Sequence, residues 1–168
     1  GERVDRKQLQ IKSFNGSVRG ELYKGKDWGV PNMTEPPPPF NDGHTYWGGF
    51  ELRYPKEVIE WGRLSSFIGH VLDADSTTFH GRYAEWFHMP NAVDYFLFLN
   101  LLRAKDNTGK NLFLAKYKQD EPYFYVPWDL DAVLGLAWDG ALDAHVTEVL
   151  GNGMYDRLLT DCSRGGFV

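Results

Sequence analysis

The sequence predicts an α+β fold in a single domain of 168 residues. Three observations support this prediction. Apolar and charged residues alternate in short runs near the start of the chain, apolar residues recur at helical spacing in its middle, and two aromatic-rich runs of hairpin length follow residue 110. Apolar residues make up 42% of the chain, which is enough to bury a sizeable core.

The composition argues against several classes of protein. The chain has 18 Lys and Arg against 23 Asp and Glu, a formal net charge of -5, whereas a nucleic-acid surface needs clustered excess cations. No apolar run approaches the roughly 20 residues that a membrane-spanning helix needs, so no membrane span is expected. The single cysteine, Cys162, excludes a disulfide within the chain and a zinc site built mainly from thiolates.

Three short strands are predicted in the first third of the chain, at residues 8–14, 21–24 and 50–54. Residues 25–48 contain four consecutive prolines flanked by turn residues, a pattern typical of a long irregular surface loop inside the domain. The aromatic residues of this loop are candidates for a partner surface; they are Trp28, Tyr46 and Trp47.

Three helices are predicted next. Apolar residues spaced by three and four indicate the first, from about residue 56 to 72. Asp75 and Ser76 are plausible caps for the second. The third, residues 91–104, is apolar around most of its circumference, which predicts a central, buried helix.

The two aromatic-rich runs, residues 111–117 and 123–128, predict a β-hairpin. If Tyr117 pairs with Tyr123, antiparallel pairing places Asn111 opposite Asp129, with Cβ atoms about 4.5–5.5 Å apart. Asp106 lies just before the hairpin, at the end of the third helix. We therefore expect three oxygen-bearing side chains to converge at the open end of the hairpin.

This set of side chains has two interpretations. Carboxylates beside apolar residues are costly unless a cation or hydrogen bonds compensate them, and two carboxylates with an amide oxygen suit Mg²⁺. Alternatively, Asp106 and Asn111 form an Asx turn and Asp129 caps another element. The five-residue spacing of Asp106 and Asn111 matches the Asp and Asn of the protein-kinase catalytic loop, which favours the metal site.

An ordinary protein kinase is excluded, because Ala104-Lys105 stands where that loop has His-Arg, and Leu130-Asp131 stands where the later motif has Phe-Gly. The residues instead resemble the CotH kinase family of atypical, kinase-like proteins. The resemblance rests on the apolar helix from Tyr95, on Asp106, on Lys110-Asn111 with its strand, and on Pro127-Trp128-Asp129-Leu130-Asp131. It implies a protein-kinase-like carboxy-terminal lobe, mainly helical, with a β-hairpin carrying the metal site and a few amino-terminal strands.

The resemblance also implies a function: transfer of the γ-phosphoryl group of ATP to a hydroxyl of a protein substrate, with Mg²⁺ or Mn²⁺. Asp106 would orient or deprotonate the acceptor hydroxyl, Asn111 and Asp129 would hold the metal, and Asp131 could supply a further ligand. The family implies a secreted or cell-surface bacterial protein, the spore coat included. The alternative is a catalytically inactive binding or adhesion module on the same scaffold.

A glycine-rich nucleotide loop and a phosphate-gripping strand lysine are not recognisable in the sequence. We therefore expect the 168 residues to be one kinase-like domain that is truncated at its amino-terminal end. The interrupted helical pattern before Val168 leaves truncation at the carboxy-terminal end open.

Overall fold

The computed structural model describes residues 4–39, 43–137, 139–142 and 147–160. Over these residues the chain forms five β-strands and four α-helices, which confirms the α+β class. Residues 40–42 of the long loop and Cys162 lie outside the described residues. None of the described helices is both long and apolar enough to cross a membrane.

The strands form one antiparallel sheet in the order β2-β3-β1-β4-β5. The amino-terminal strands and the later hairpin therefore belong to the same sheet, because β1 pairs with β3 on one side and with β4 on the other. The strand bounds are β1 Glu21–Gly25, β2 Tyr46–Trp47, β3 Phe50–Tyr54, β4 Leu112–Lys116 and β5 Tyr123–Pro127.

The prediction of a strand at residues 8–14 is wrong. Residues 6–10 form turns instead, because the Asp5 carboxylate accepts hydrogen bonds from the amides of Lys7 (2.8 Å) and Gln8 (3.0 Å). The segment then covers one face of the sheet, where Ile11 is fully buried. A side chain that accepts hydrogen bonds from nearby amides competes with strand pairing for those donors. Here the Asp5 carboxylate prevents the strand from forming.

The loop of residues 25–48 packs against the domain rather than extending from it. It contains a 3-10 turn, Val30–Asn32, and the Val30 amide donates to the carbonyl of Gly48 (3.0 Å). Trp47 is buried and donates its indole N–H to the carbonyl of Pro38 (2.8 Å), so it is not available as a partner surface. Trp28 and Tyr46 are exposed and stay candidates for that role.

Helix α1 spans Gly62–Asp73 and begins six residues later than predicted. The reason is Trp61, which is fully buried before the first turn and donates its indole N–H to the carbonyl of His44 (2.9 Å). Among the apolar residues that predict this helix, Leu72 is only partly buried. The others within the helix are buried, as expected; they are Leu64, Phe67, Ile68 and Val71.

Helix α2 spans Ser76–Trp86, and Asp75 is its N-cap. The Asp75 carboxylate accepts the amide (2.9 Å) and the hydroxyl (2.7 Å) of Thr78. These bonds satisfy a backbone donor that the first helical turn leaves free. The predicted cap is therefore confirmed.

Helix α3 spans Met89–Leu101 and packs on β5 through one face only. Ala92, Tyr95 and Leu99 are buried, whereas the apolar side chains on the opposite side of the helix are 41–76% exposed. The prediction of a central, buried helix is therefore wrong. The exposed apolar residues of α3 are Val93, Leu97 and Leu101.

The last described helix, α4 (Gly153–Leu158), is tied to the centre of the domain by Asn152. Its side-chain oxygen caps the helix, and its amide group donates to the Tyr125 hydroxyl (3.0 Å) and to the carbonyl of Thr108 (3.2 Å). Asn152 is 2% exposed, so these hydrogen bonds are buried. They connect α4 to the hairpin and to the turn that precedes it.

Candidate functional site

The open end of the β4–β5 hairpin lies next to the predicted site residues, but the pairing register differs from the prediction. Lys116, not Tyr117, lies opposite Tyr123, and the pairing ends at Leu112 and Pro127. The predicted register was therefore wrong by one residue. Both runs have apolar residues on both faces, so the alternation of side chains does not specify the register.

Asn111 therefore lies beside Trp128 and not opposite Asp129. The Trp128 amide donates to the Asn111 carbonyl (2.9 Å), which closes the hairpin one step beyond the paired strands. Asp129 is the first residue after this hydrogen bond.

A buried asparagine joins the two chains at this end of the hairpin. The Asn107 side-chain amide donates to the carbonyls of Asn111 (2.5 Å) and Trp128 (2.8 Å). Asn107 is 1% exposed, and its own carbonyl accepts the hydroxyl of Tyr95 (2.8 Å). The Asn107 side chain thus fixes Asn111, which precedes β4, relative to Trp128, which precedes Asp129.

Asp106 lies on the same short segment, a 3-10 turn of Lys105–Thr108 that follows α3. The chain after Asp129 returns to the end of α3, where the amide of Leu134 donates to the carbonyl of Leu102 (2.5 Å). The backbone segments that carry Asp106, Asn111, Asp129 and Asp131 therefore meet around one end of the hairpin.

Asn111 and Asp129 both have a left-handed backbone, with φ of 53° and 56°. This conformation is uncommon for residues other than glycine, and Asn and Asp tolerate it best. It turns the chain out of the strand at each side of the hairpin mouth. Uncommon backbone conformations of this kind are concentrated at functional sites, which makes the hairpin mouth a candidate for one.

The charges at the hairpin mouth are partly compensated. A carboxylate oxygen of Asp106 lies 3.2 Å from the Lys110 ammonium, and both side chains are less than one third exposed. Asp129 and Asp131 are exposed, and no hydrogen bond or ion pair joins their carboxylates to another described residue. The alternative interpretation, an Asx turn at Asp106 with Asp129 as a cap, does not match these contacts.

The described part of the chain has no group of three or more His, Cys, Asp or Glu side chains arranged to hold a metal ion. Magnesium, however, is commonly bound through one or two carboxylates together with water and substrate phosphates. The uncompensated carboxylates of Asp129 and Asp131, with the side-chain oxygen of Asn111, are donors of that type. The available donors therefore fit Mg²⁺ or Mn²⁺ better than a metal that needs a closed set of protein ligands.

A cation and a cavity adjoin the hairpin mouth on the outer face of the sheet, the face turned away from the helices. The ammonium of Lys24, on β1, lies 5.3 Å from the ring centre of Trp128, and Lys24 makes no ion pair with a described residue. A cavity of about 450 Å³ is lined by Val126, Trp128 and Asp129 and by the turn segment at Val4. This cavity is apolar on its strand side and acidic at Asp129.

Sequence reasoning missed the roles of Asn107 and Lys24. Asn107 lies in a turn-forming stretch, and nothing in its neighbours distinguishes it from a solvent-exposed turn residue. Lys24 is almost 90 residues from the hairpin, and only the pairing of β1 with β4 brings it opposite Phe113.

We expect Asn107→Leu to lower the free energy of unfolding by about 1–3 kcal/mol, because the part-buried carbonyls of Asn111 and Trp128 lose the donor that they share. Urea denaturation of the variant and the parent protein measures this difference. Asn15→Leu, at an exposed loop position, is the matched control and should change stability by less than about 0.5 kcal/mol. Equal stability of the Asn107 variant and the parent would show that the amide does not hold the hairpin mouth.

Comparison with protein-family models finds a match over residues 1–162, to the family described as CotH kinase protein. The match covers nearly the whole 168-residue chain and includes all four candidate site residues. A search of curated proteins finds no match.

Proposed function

Because this chain belongs to the CotH kinase family, as its resemblance to that family predicted, we propose that it transfers the γ-phosphoryl group of ATP to a hydroxyl of a protein substrate. The observation that carries the proposal is the pair of hydrogen bonds from Asn107 to the carbonyls of Asn111 and Trp128. These bonds hold the two strand ends of the hairpin, and with them Asp129, in a fixed position relative to the turn that carries Asp106. Phosphoryl transfer depends mainly on such positioning.

In this proposal Asp106 orients the acceptor hydroxyl and accepts its proton as the phosphoryl group is transferred. The neighbouring Lys110 ammonium holds the Asp106 carboxylate in place at 3.2 Å. Lys110 is itself placed by the ring of Trp28, whose centre lies 5.8 Å from its ammonium.

Asn111, Asp129 and Asp131 are the proposed metal-binding residues. A bound Mg²⁺ or Mn²⁺ would neutralise the charge that spreads over the phosphate oxygens during transfer. The left-handed backbone at Asn111 and Asp129 turns the chain at each side of the hairpin mouth. Neither side chain makes a hydrogen bond or ion pair with another described residue, so both are available to a ligand.

The cavity beside Asp129 is the proposed site of ATP. Its apolar strand residues, Val126 and Trp128, suit a nucleotide base, and Asp129 lies at its acidic end. Lys24, next to the Trp128 ring, supplies an unpaired cation that offsets phosphate charge.

We further propose a secreted or cell-surface location, the bacterial spore coat included, with secreted or coat proteins as acceptors. Family membership supports this location.

A second candidate function is a binding or adhesion module that has the scaffold without the reaction. The exposed aromatic side chains of Trp28 (38%) and Tyr46 (49%) favour it, because single large aromatics at a surface suit partner contacts.

The substitution Asp129→Asn tests the proposed function. We expect it to lower metal-dependent phosphoryl transfer by about 10²–10³-fold, as when one electrostatic stabiliser is removed from an active site. Transfer from radiolabelled ATP to a mixed protein acceptor is measured across a Mg²⁺ titration. Asp94→Asn, an exposed change on α3, is the matched control and should leave transfer unaltered.

Two outcomes would contradict the proposal. Transfer that is equal in Asp129→Asn and in the parent, at every Mg²⁺ concentration, would remove Asp129 from the metal site. Absence of transfer by the parent protein, with partner binding retained in the variant, would favour the binding module.

A further inference from the structure

A second cavity, of about 270 Å³, lies on the outer face of the sheet between the turn of residues 5–8 and the end of β3. Four cationic side chains and one acidic side chain line it. This excess of positive charge is local, because the whole chain has a formal net charge of -5. The charged lining residues are Asp5, Arg6, Lys7, Arg53 and Lys56.

The framework of the cavity is held by contacts within the protein. The Arg6 guanidinium lies 5.6 Å from the ring centre of Tyr54 and donates to the carbonyl of Ile11 (3.1 Å). The Tyr54 hydroxyl in turn accepts the amide of Phe14. The Asp5 carboxylate accepts the amide of Lys7, which fixes the turn that presents this lysine. The cavity is therefore formed before a ligand arrives.

Two of the four cations are engaged neither by an anionic side chain nor by another group among the described residues. Arg53 makes an ion pair with Glu51 (2.9 Å), and Arg6 is engaged by the Tyr54 ring and a carbonyl. The exposed side chains of Lys7 and Lys56 make no ion pair within the described ranges. The ammonium groups of Lys7 and Lys56 are therefore available to a ligand at this cavity, beside the Arg6 guanidinium and the Asp5 carboxylate.

We propose that this cavity binds a phosphate monoester on a polypeptide, namely a phosphorylated side chain of the acceptor protein. A phosphate monoester carries a charge of about -1.5 to -2 near pH 7, which two free ammonium groups balance. A carboxylate side chain supplies only one negative charge. The triphosphate of ATP carries more negative charge than the two lysines neutralise.

The position of the cavity supports the assignment to an acceptor. Val4 lines both this cavity and the 450 Å³ cavity that contains Asp129, so the two lie side by side. An acceptor segment that already carries a phosphate could place it here while another hydroxyl lies at the hairpin mouth. The link to phosphoryl transfer rests on the proposed function, whereas the binding of the phosphopeptide does not.

The test compares three peptides that differ at one residue, which is phosphoserine, serine or glutamate. Binding to the full chain is measured by fluorescence anisotropy at constant ionic strength. We expect the phosphoserine peptide to bind at least tenfold more tightly than the other two. The Lys7→Ala/Lys56→Ala double variant should lose about tenfold or more of that affinity.

A matched control removes the same charge elsewhere. The Lys12→Ala/Lys118→Ala double variant, which alters lysines outside the cavity, should bind the phosphoserine peptide as the parent does. Thermal unfolding of both double variants checks that they are folded; the changed lysines of the test variant are exposed, so no loss of fold is expected.

Competition distinguishes the sources of the phosphate group. Inorganic phosphate should displace the peptide only at far higher concentration than the free phosphopeptide, because it lacks the polypeptide contacts. Equal affinity of inorganic phosphate, displacement by ATP as effective as by the phosphopeptide, or equal binding of the glutamate peptide would each overturn the proposal. So would unchanged binding by the Lys7→Ala/Lys56→Ala variant.

The Asp106→Asn variant separates this inference from the proposed function. It should bind a phosphoserine peptide that has no other hydroxyl side chain as the parent does, because Asp106 does not line the cavity and such a peptide offers it no acceptor. Phosphopeptide binding without any phosphoryl transfer would contradict only the proposed function. Phosphoryl transfer without phosphopeptide binding would contradict only the phosphate site.

Discussion

Replacing Asp106 by asparagine is expected to lower phosphoryl transfer by about 10²–10⁴-fold, the range for loss of a general base. The substitution keeps the size of the side chain and removes the charge that pairs with Lys110 at 3.2 Å. The pair is partly exposed, so the loss of stability should be below about 1 kcal/mol. A large loss of transfer with little loss of stability therefore identifies a chemical role.

The measurement is the rate of phosphate transfer from ATP at saturating Mg²⁺, with unfolding in urea as the check on stability. Asp120→Asn, in the turn at the far end of the hairpin, makes the same chemical change away from the site and should retain the parent rate. If Asp106→Asn transfers phosphate at the parent rate, Asp106 is not the base. If instead the parent protein itself transfers no phosphate, the binding module is the better account of the protein.

The second large effect is an alkaline unfolding transition caused by buried tyrosines. Burial raises the pKa of five tyrosine hydroxyls above the ordinary value near 10, and the buried carboxylate of Glu21 adds to this for two of them. The Glu21 carboxylate accepts hydrogen bonds from the hydroxyls of Tyr23 (3.1 Å) and Tyr123 (2.5 Å). The other three tyrosines are Tyr95, Tyr125 and Tyr155.

Above a pH of about 10 the unfolded chain loses the protons of these tyrosines, while the folded chain keeps them. The folded state then binds more protons than the unfolded state, so the free energy of unfolding falls as the pH rises. Each buried tyrosine contributes a slope of roughly 1.4 kcal/mol per pH unit in this range. The combined loss of free energy from five tyrosines exceeds the usual stability of a domain, about 5–15 kcal/mol, within one to three pH units.

We therefore expect the contribution of these tyrosines to the free energy of unfolding to be fully present below a pH of about 10. Above that pH the contribution is lost and the domain unfolds cooperatively. Circular dichroism should report unfolding at the same pH at which near-ultraviolet absorbance reports tyrosinate formation. Tyr155→Phe should make the loss of stability with pH less steep. Tyr46→Phe changes a side chain that is 49% exposed and should leave the transition unaltered. Gradual ionisation of all the tyrosines in a chain that stays folded would contradict this account.

Much of the secondary structure was predictable because its signals are local. The alternation in residues 50–54 and the spacing of Leu64, Phe67, Ile68 and Val71 predicted a strand and a buried helix face that the structure contains. The cap at Asp75 follows from a side chain that bonds an amide three residues away. The order of helix, Asp106, Asn111, hairpin and Asp129 was sufficient to indicate the family that the family model then matched.

Two of the errors concern contacts between segments that are distant along the chain. Helix α3 is apolar on nearly all sides, so its composition does not tell which side packs on β5, and the structure leaves Val93, Leu97 and Leu101 exposed. The start of α1 depends on Trp61, whose indole bonds the carbonyl of His44 in the long loop. Neither contact has a signature within a short window of sequence.

By itself, the sequence determined which residues carry the candidate chemistry and in what order they follow one another. The tertiary structure decided how those residues meet: the hairpin register, the amide of Asn107 between two carbonyls, and Lys24 beside Trp128. The physical reason is that spacing constrains neighbours along the chain through backbone geometry. The register of a hairpin with apolar residues on both faces, and the position of a pair separated by 20 or more residues, depend instead on core packing, which involves the whole chain at once.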